Sequence, residues 1–273
     1  MSNYHEREAA YRASAGLNQS ALKPLKVSPQ HARYRADVPV KQTDAMALGT
    51  LFERLVACPD DLRAEVKADY AKERARYTEQ KARAEADGVL LVAADAWAKA
   101  EAMRDAVWRS ADASALLTGA DYCQPLHWTY DGQARKGLLD ARKVVNGKHL
   151  VIDLKTTSAT MTPDELAKQV ETYGYHLQAA WYLQGYREVY GVDAEFWFVF
   201  VESAAPHAVV CVQLDDDWLA AGAAEVEALA AVWRDCEEAG VWPGPAEMAV
   251  NGEPRFPAKL SRPKWARGYQ LEV

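Results

Sequence analysis

Asp140, Asp153 and Lys155 stand in the stretch GLLDARKVVNGKHLVIDLKTT, two apolar runs joined by Asn146-Gly147. An Asn-Gly pair between strand-like runs is the strongest short-range sign of a two-residue hairpin. With those two residues as the turn, paired positions sum to 293, and Asp140 falls opposite Asp153. Directly opposed residues share a face, with Cβ atoms about 5 Å apart. Lys155, two residues on, projects from that face as well. Carboxylates that close repel each other and raise a pKa, and a divalent cation removes the penalty. Asp153 also interrupts the apolar run LVIDL, where an unpaired carboxylate is costly to bury. A surface hairpin with a cross-strand ion pair leaves that interruption unexplained. The chemistry open to this set is metal-assisted phosphodiester hydrolysis. Asp140 and Asp153 would hold Mg²⁺ or Mn²⁺, with the Leu154 carbonyl as a third oxygen. Lys155 would position the attacking water or stabilise the developing negative charge.

Several elements must position these groups. Helical spacing and an Asp44 cap predict a helix from about Asp44 to Ala57, with Leu48, Leu51, Phe52 and Leu55 on one face. Upstream, LNQSALKPLK reads as a short helix. The charged stretch 61–86 reads as a solvated helix or excursion, unless Lys72, Arg74, Arg76 and Lys81 face DNA. Residues 91–117 read as one amphipathic helix. Strand-like runs follow: QPLHWTY, GLLDARKVV, HLVIDLKTT, AEFWFVFVES and APHAVVCVQL. Between the third and fourth lies a helical stretch capped at Thr162, with a break near Gly174. A last amphipathic helix runs from Asp215 to near Gly240, and the proline- and aromatic-rich tail reads as an extended cover or subunit contact. The order predicts one α/β domain over 1–273, with a central mixed sheet flanked by helices. Its parts are an N-terminal segment (1–43), a core (44–240) and the tail (241–273).

Composition bounds the function classes. At 273 residues, 49% hydrophobic and 26% charged, the chain is ordinary for a globular protein. No apolar run nears the ~20 residues that span a bilayer, so no membrane partner is expected. The charged N-terminus lacks a signal-peptide core, so a cytoplasmic location is expected. Four scattered cysteines without a CxxC pair disfavour zinc or an iron–sulfur cluster. The net charge of −7 disfavours a protein that coats nucleic acid, though not an enzyme with a confined basic channel.

The pattern Asp140…Asp153-Leu154-Lys155 resembles the signature of the PD-(D/E)xK nuclease superfamily. Further motifs sharpen the likeness. In GYHLQAAWY, Gln178 and Tyr182 match the Q-x3-Y motif of the RecB-like branch. In LGTLFERLV, Glu53 falls on that branch's His/Glu position, and LNQSALKPLKVSPQHARYR is similar to the opening of phage RecE-type exonucleases. The resemblance spans roughly residues 15–240. It implies a restriction-endonuclease-like core with Glu53 as a further metal ligand and with Gln178 and Tyr182 as active-site residues. Gln178 would bond the lysine, the water or DNA, and Tyr182 a phosphate; they are i and i+4 on one helical face, although an ordinary amphipathic helix explains them too. Thr156, Thr157, Arg135, Lys136 and His176 are candidate DNA contacts. The activity implied is that of a RecE/lambda-exonuclease-type enzyme, degrading linear duplex DNA from its 5′ ends and leaving 3′ overhangs. A single-strand annealing protein as partner, a trimeric or tetrameric ring and a phage or prophage origin come from the resemblance alone. A RecB-like nuclease with single-strand or endonucleolytic activity, or an inactive DNA-binding module of the same fold, are the alternatives.

Overall fold

The computed structural model describes residues 3–38, 41–250 and 253–254. Two compact units emerge, Met1–Gln19 with Val40–Ala228, and Ser20–Pro39 with Leu229–Val273.

The first unit is built on a five-stranded sheet of β3 (Asp121–Tyr130), β4 (Gln133–Val145), β5 (Lys148–Thr157), β6 (Glu195–Glu202) and β7 (Val209–Val212), in that spatial order. All neighbours are antiparallel except β5 and β6. The β4–β5 turn is Asn146-Gly147, and both residues have positive φ (51° and 78°), as a two-residue turn of this kind demands. The expected register holds from Val145↔Lys148 to Ala141↔Ile152. A second hairpin joins β3 to β4 through Asp131-Gly132, again with both φ positive (47° and 72°). The sheet is mixed because β5 and β6 are joined by a helical crossover, α8 (Pro163–Tyr173) and α9 (Tyr175–Tyr190).

Alternation along β5 sorts the two faces. Ile152 and Leu154, with Val199 and Val201 of β6, enter a core with α4 (Asp44–Ala57) and α6 (Ala94–Arg109). From α4 come Leu51, Phe52, Leu55 and Val56, and from α6 come Ala100, Met103 and Val107. Asp153 and Lys155 take the opposite parity, in register with Phe198 and Phe200, and α9 lies over that face. The stretch 91–117 is not one helix: Leu90–Val92 is strand β2, and Ser110 ends α6 and caps α7 (Ala111–Leu117). Ser110 accepts from Ala113 N–H, which restarts the helix in a new direction. Within 61–86 lie β1 (Ala64–Val66), paired parallel to β2, and most of α5 (Arg74–Asp87).

The N-terminus holds a helix that the reading above does not anticipate, α1 (Tyr4–Ala13), started by an Asn3/Glu6 capping box. The short α2 (Gln19–Leu22) follows. In the second unit, α3 (Pro29–Asp37) donates from Gln30 N–H to the Pro243 carbonyl at 3.0 Å. Trp233 meets Trp242 edge-on at 5.0 Å there. Helix α10 (Asp216–Ala239) leads from the first unit into the second, and β8 (Ala249–Val250) pairs with β9 (Glu253–Pro254). The tail from 255, with Trp265, lies outside the described residues. Among the described residues, no helix is long and apolar enough to cross a membrane.

Candidate active site

Asp140 sits where the sheet is interrupted on both of its sides. The β4–β5 pairing stops at Ala141↔Ile152, one step short of Asp140 and Asp153. The β3–β4 pairing runs through Tyr122↔Ala141 and Gln124↔Leu139 but skips Cys123, which stands opposite Asp140. Cys123 has φ 51°, a left-handed conformation uncommon for a residue with a side chain. Freed from the ladder, Asp140 accepts the Leu154 N–H on Oδ2 at 2.8 Å. The backbone of Leu154 is thus drawn to Asp140 through its N–H.

Asp153 is 1% exposed. Gln178 donates from Nε2 to its Oδ1 at 2.6 Å, and Lys155 forms an ion pair with Oδ2. The Lys155 ammonium also lies 5.1 Å from the centre of the Tyr175 ring. Burial works against the charge of Lys155, but Asp153 and Asp140 outweigh it and hold the ammonium above its ordinary range. The Asp140 carboxyl is pushed well above the usual carboxylate range by burial, then by the charges of Asp153 and Glu53, against which Lys155 and the Leu154 N–H act. Glu53 moves up too, chiefly through burial and with contributions from Glu8 and Asp153. It accepts the Tyr4 hydroxyl on Oε1 at 2.6 Å.

Three carboxyl groups therefore share one electrostatic neighbourhood with one half-buried lysine. Among the described residues, however, no group of three or more His, Cys, Asp or Glu side chains is placed to hold a metal ion. Glu53 is accordingly not gathered with Asp140 and Asp153 into a three-carboxylate set, and Tyr4 holds its Oε1. Asp140 and Asp153 fit a hard divalent cation: both are oxygen donors, and the proton affinity that mutual repulsion and burial give Asp140 is what a cation would relieve.

Tyr182 is buried on α9, its ring stacked on Phe196 at 6.3 Å and laid over Gly137 of β4. A Cβ at Gly137 would stand 3.0 Å from Tyr182 Cε1, so this packing depends on the missing side chain. The tyrosine is a wall of the site rather than an exposed phosphate ligand. Its hydroxyl is kept neutral by burial and by Asp153 and Asp140.

The proposed DNA contacts fall mostly elsewhere. Arg135 is 3% exposed, donates to Gln184 Oε1 at 2.6 Å and is packed on Trp181 and Tyr130. Lys136 is 7% exposed and donates to the Tyr11 and Ser14 carbonyls at the end of α1. Both cations are used internally, so neither presents its charge to a DNA backbone. His176 does not line the cleft: it is 4% exposed and meets Glu225 Oε2 of α10 at 2.9 Å. Two residues before Gln178, it points to the other side of α9. Thr157 is buried and donates to Gln169 Oε1 at 2.8 Å. Thr156 is only half-buried, at the end of β5 beside Gly49 of α4.

Two participants escaped the sequence reading. Tyr4 belongs to a charged helix with few apolar residues, attached largely through polar contacts. Arg7 donates to the Cys123 and Tyr122 carbonyls, and Glu8 pairs with Arg54. Only the seven-residue spacing of Tyr4 and Tyr11 marks one side of that helix. Tyr175 sits three residues before Gln178, a helical neighbour of it, and that spacing was the available signal.

No curated protein matches the chain. Among solved structures, a presumed exonuclease of Eubacterium rectale superposes with a TM-score of 0.62 at 14% identity, over 96% of this chain and 94% of that one. That likeness speaks to the fold. The protein SSO0001 aligns with a TM-score of 0.31 at 16% identity, over 69% of this chain and 85% of that one, and supports no inference. A family model described as a PDDEXK-like domain of unknown function (DUF3799) matches residues 18–250. With that match over most of its length, the chain belongs to this PDDEXK-like family, and so to the PD-(D/E)xK nuclease superfamily.

Proposed function

We propose that the protein is a Mg²⁺- or Mn²⁺-dependent deoxyribonuclease that hydrolyses linear duplex DNA from its ends. The observation that carries this reading is the ion pair of buried Asp153 with half-buried Lys155 beside Asp140, with Gln178 fixing the other Asp153 oxygen. A cation between two carboxylates supplies charge neutralisation at phosphorus and a more acidic water.

Asp140 and Asp153 would hold that cation, with a Leu154 backbone oxygen beside them. Lys155 keeps its proton in this setting. It therefore acts as a donor, orienting the attacking water or a phosphate oxygen and offsetting negative charge as it develops. Gln178 holds the Asp153 carboxylate in one orientation, which frees its remaining lone pairs for the cation. The buried Tyr182 closes the back of the site, the Tyr175 ring packs against the Lys155 ammonium, and a drier surrounding strengthens each charge interaction there.

The finer reading is a 5′-to-3′ exonuclease that leaves 3′ single-stranded overhangs for phage-type recombination. It acts as a trimeric or tetrameric ring and hands its product to a single-strand annealing protein. Sequence resemblance alone supports this part; the description of the Eubacterium rectale protein as an exonuclease agrees only with cutting from an end. The test is to incubate the protein with end-labelled linear duplex, closed circles and single strands, in Mg²⁺ or EDTA. Mg²⁺-dependent release of nucleotides from linear duplex, with closed circles left uncut, is expected. Cutting of closed circles contradicts end-directed action, and undiminished cutting in EDTA contradicts metal dependence.

A further inference from the structure

Tyr173 and Tyr175 are two positions apart, and in a continuous helix they would point to nearly opposite sides. They do not, because Gly174 between them takes a left-handed conformation (φ 61°, ψ 46°), ending α8 and starting α9. The two rings instead stack, 5.6 Å apart at an interplanar angle of 29°. Tyr175 is held from beneath by Phe198 at 5.7 Å and Phe200 at 6.0 Å, the β6 partners of Asp153 and Lys155. It also carries the Lys155 ammonium against its ring. Tyr173, by contrast, is 55% exposed.

A single exposed tyrosine is ordinary. A solvent-facing ring stacked on a rigid second ring, which in turn touches the lysine of the reaction, is a platform connected to the site. Aromatic rings in this position bind nucleobases whatever their identity, since every base has a π-face. A base can lie on Tyr173 only if it is not stacked within a duplex. We infer that the Tyr173–Tyr175 pair is a stacking platform for an unpaired nucleobase of the substrate strand, holding a frayed or single-stranded end beside Lys155. This rests on the nuclease reading and names the form of substrate the site takes.

The test uses a twelve-nucleotide single strand carrying 2-aminopurine at one position, moved along the strand in successive probes, with full-length protein in EDTA so that nothing is cut. The wild-type protein is expected to quench the fluorescence at a restricted set of positions. Tyr173→Ala should abolish that quench and raise Kd about tenfold, within the range that one stacked base contributes. Tyr173→Trp should retain both. Unchanged thermal unfolding of Tyr173→Ala establishes that the fold is intact, as expected for an exposed side chain. A quench and Kd that survive Tyr173→Ala, or a wild-type protein that quenches no position, overturn the platform. The outcome is separable from the nuclease assignment. Asp153→Ala should lose cleavage and keep the quench, whereas an Asp153→Ala protein that still cuts DNA removes the assignment and leaves the stacking result standing.

Discussion

Gln178 donates its side-chain amide to Asp153 Oδ1 at 2.6 Å, across from the Lys155 ion pair on Oδ2. Asp153 is therefore held by one residue of α9 and one of its own strand, and its orientation is set before any ligand arrives. Gln178→Leu leaves a buried carboxylate short of a donor, at a cost of about 1–3 kcal/mol. Urea unfolding should show a loss of that size, together with cleavage reduced about tenfold or more. A variant as stable and as active as the wild type contradicts the positioning role.

Asp140 makes metal-free protein sensitive to pH. Its carboxyl in the folded state binds a proton well above the ordinary carboxylate range, through burial and then through Asp153 and Glu53. A group with a raised folded pKa contributes stability that is present below its unfolded pKa, about 4, and lost as pH rises through the folded value. In EDTA, Asp140→Asn should therefore be more stable than wild type at pH 8, and the gap should narrow toward pH 4. Thermal unfolding across that interval measures it. A variant that is less stable at pH 8, or a gap that widens on acidification, contradicts the electrostatic account.

Tyr4 ties α1 to the acidic cluster through the Glu53 oxygen. Tyr4→Phe removes that donor, leaves the ring in place and should destabilise the metal-free protein by about 1 kcal/mol. The loss should be larger near pH 8, where Glu53 is more fully ionised, than near pH 4; its carboxyl titrates above the usual range because of burial. Denaturant unfolding at the two pH values provides the comparison, and equal stability of the two proteins at pH 8 contradicts the contact.

Gly222 of α10 lies against the backbone of α9. A Cβ there would stand 2.7 Å from the His176 carbonyl carbon, a group that cannot turn aside. Gly222→Ala should cost about 1–3 kcal/mol through overpacking, despite the better helix propensity of alanine. A rise in unfolding temperature contradicts the close approach.

The parts of the site legible in the sequence were those governed by local rules. Asn146-Gly147 sets the hairpin and its register, and the run from Asp44 to Ala57 carries its own apolar face, although its cap is Thr43, which accepts the Met46 N–H, and not Asp44 as the sequence suggests. Gly174 marks the break between α8 and α9. What was not legible depends on long-range polar packing. Arg135 and Lys136 look like surface cations next to a strand, yet aromatic rings, Gln184 and free helix-end carbonyls take up their charge. His176 belongs to the side of α9 covered by α10, through a carboxylate 49 residues away. Helix α1 has no strong apolar face, since its docking is carried by hydrogen bonds to strand carbonyls that only the folded sheet presents.

The most direct measurement is the rate at which Lys155→Ala and wild type release nucleotides from an end-labelled linear duplex in Mg²⁺. Wild type should cleave, and the variant should lose at least about a hundredfold, the scale of removing one preorganised charge-stabilising group. Loss of cleavage with folding preserved is the predicted result. Release by the variant at the wild-type rate would contradict the assignment of Lys155, and with it the role given to the Asp140–Asp153–Lys155 site.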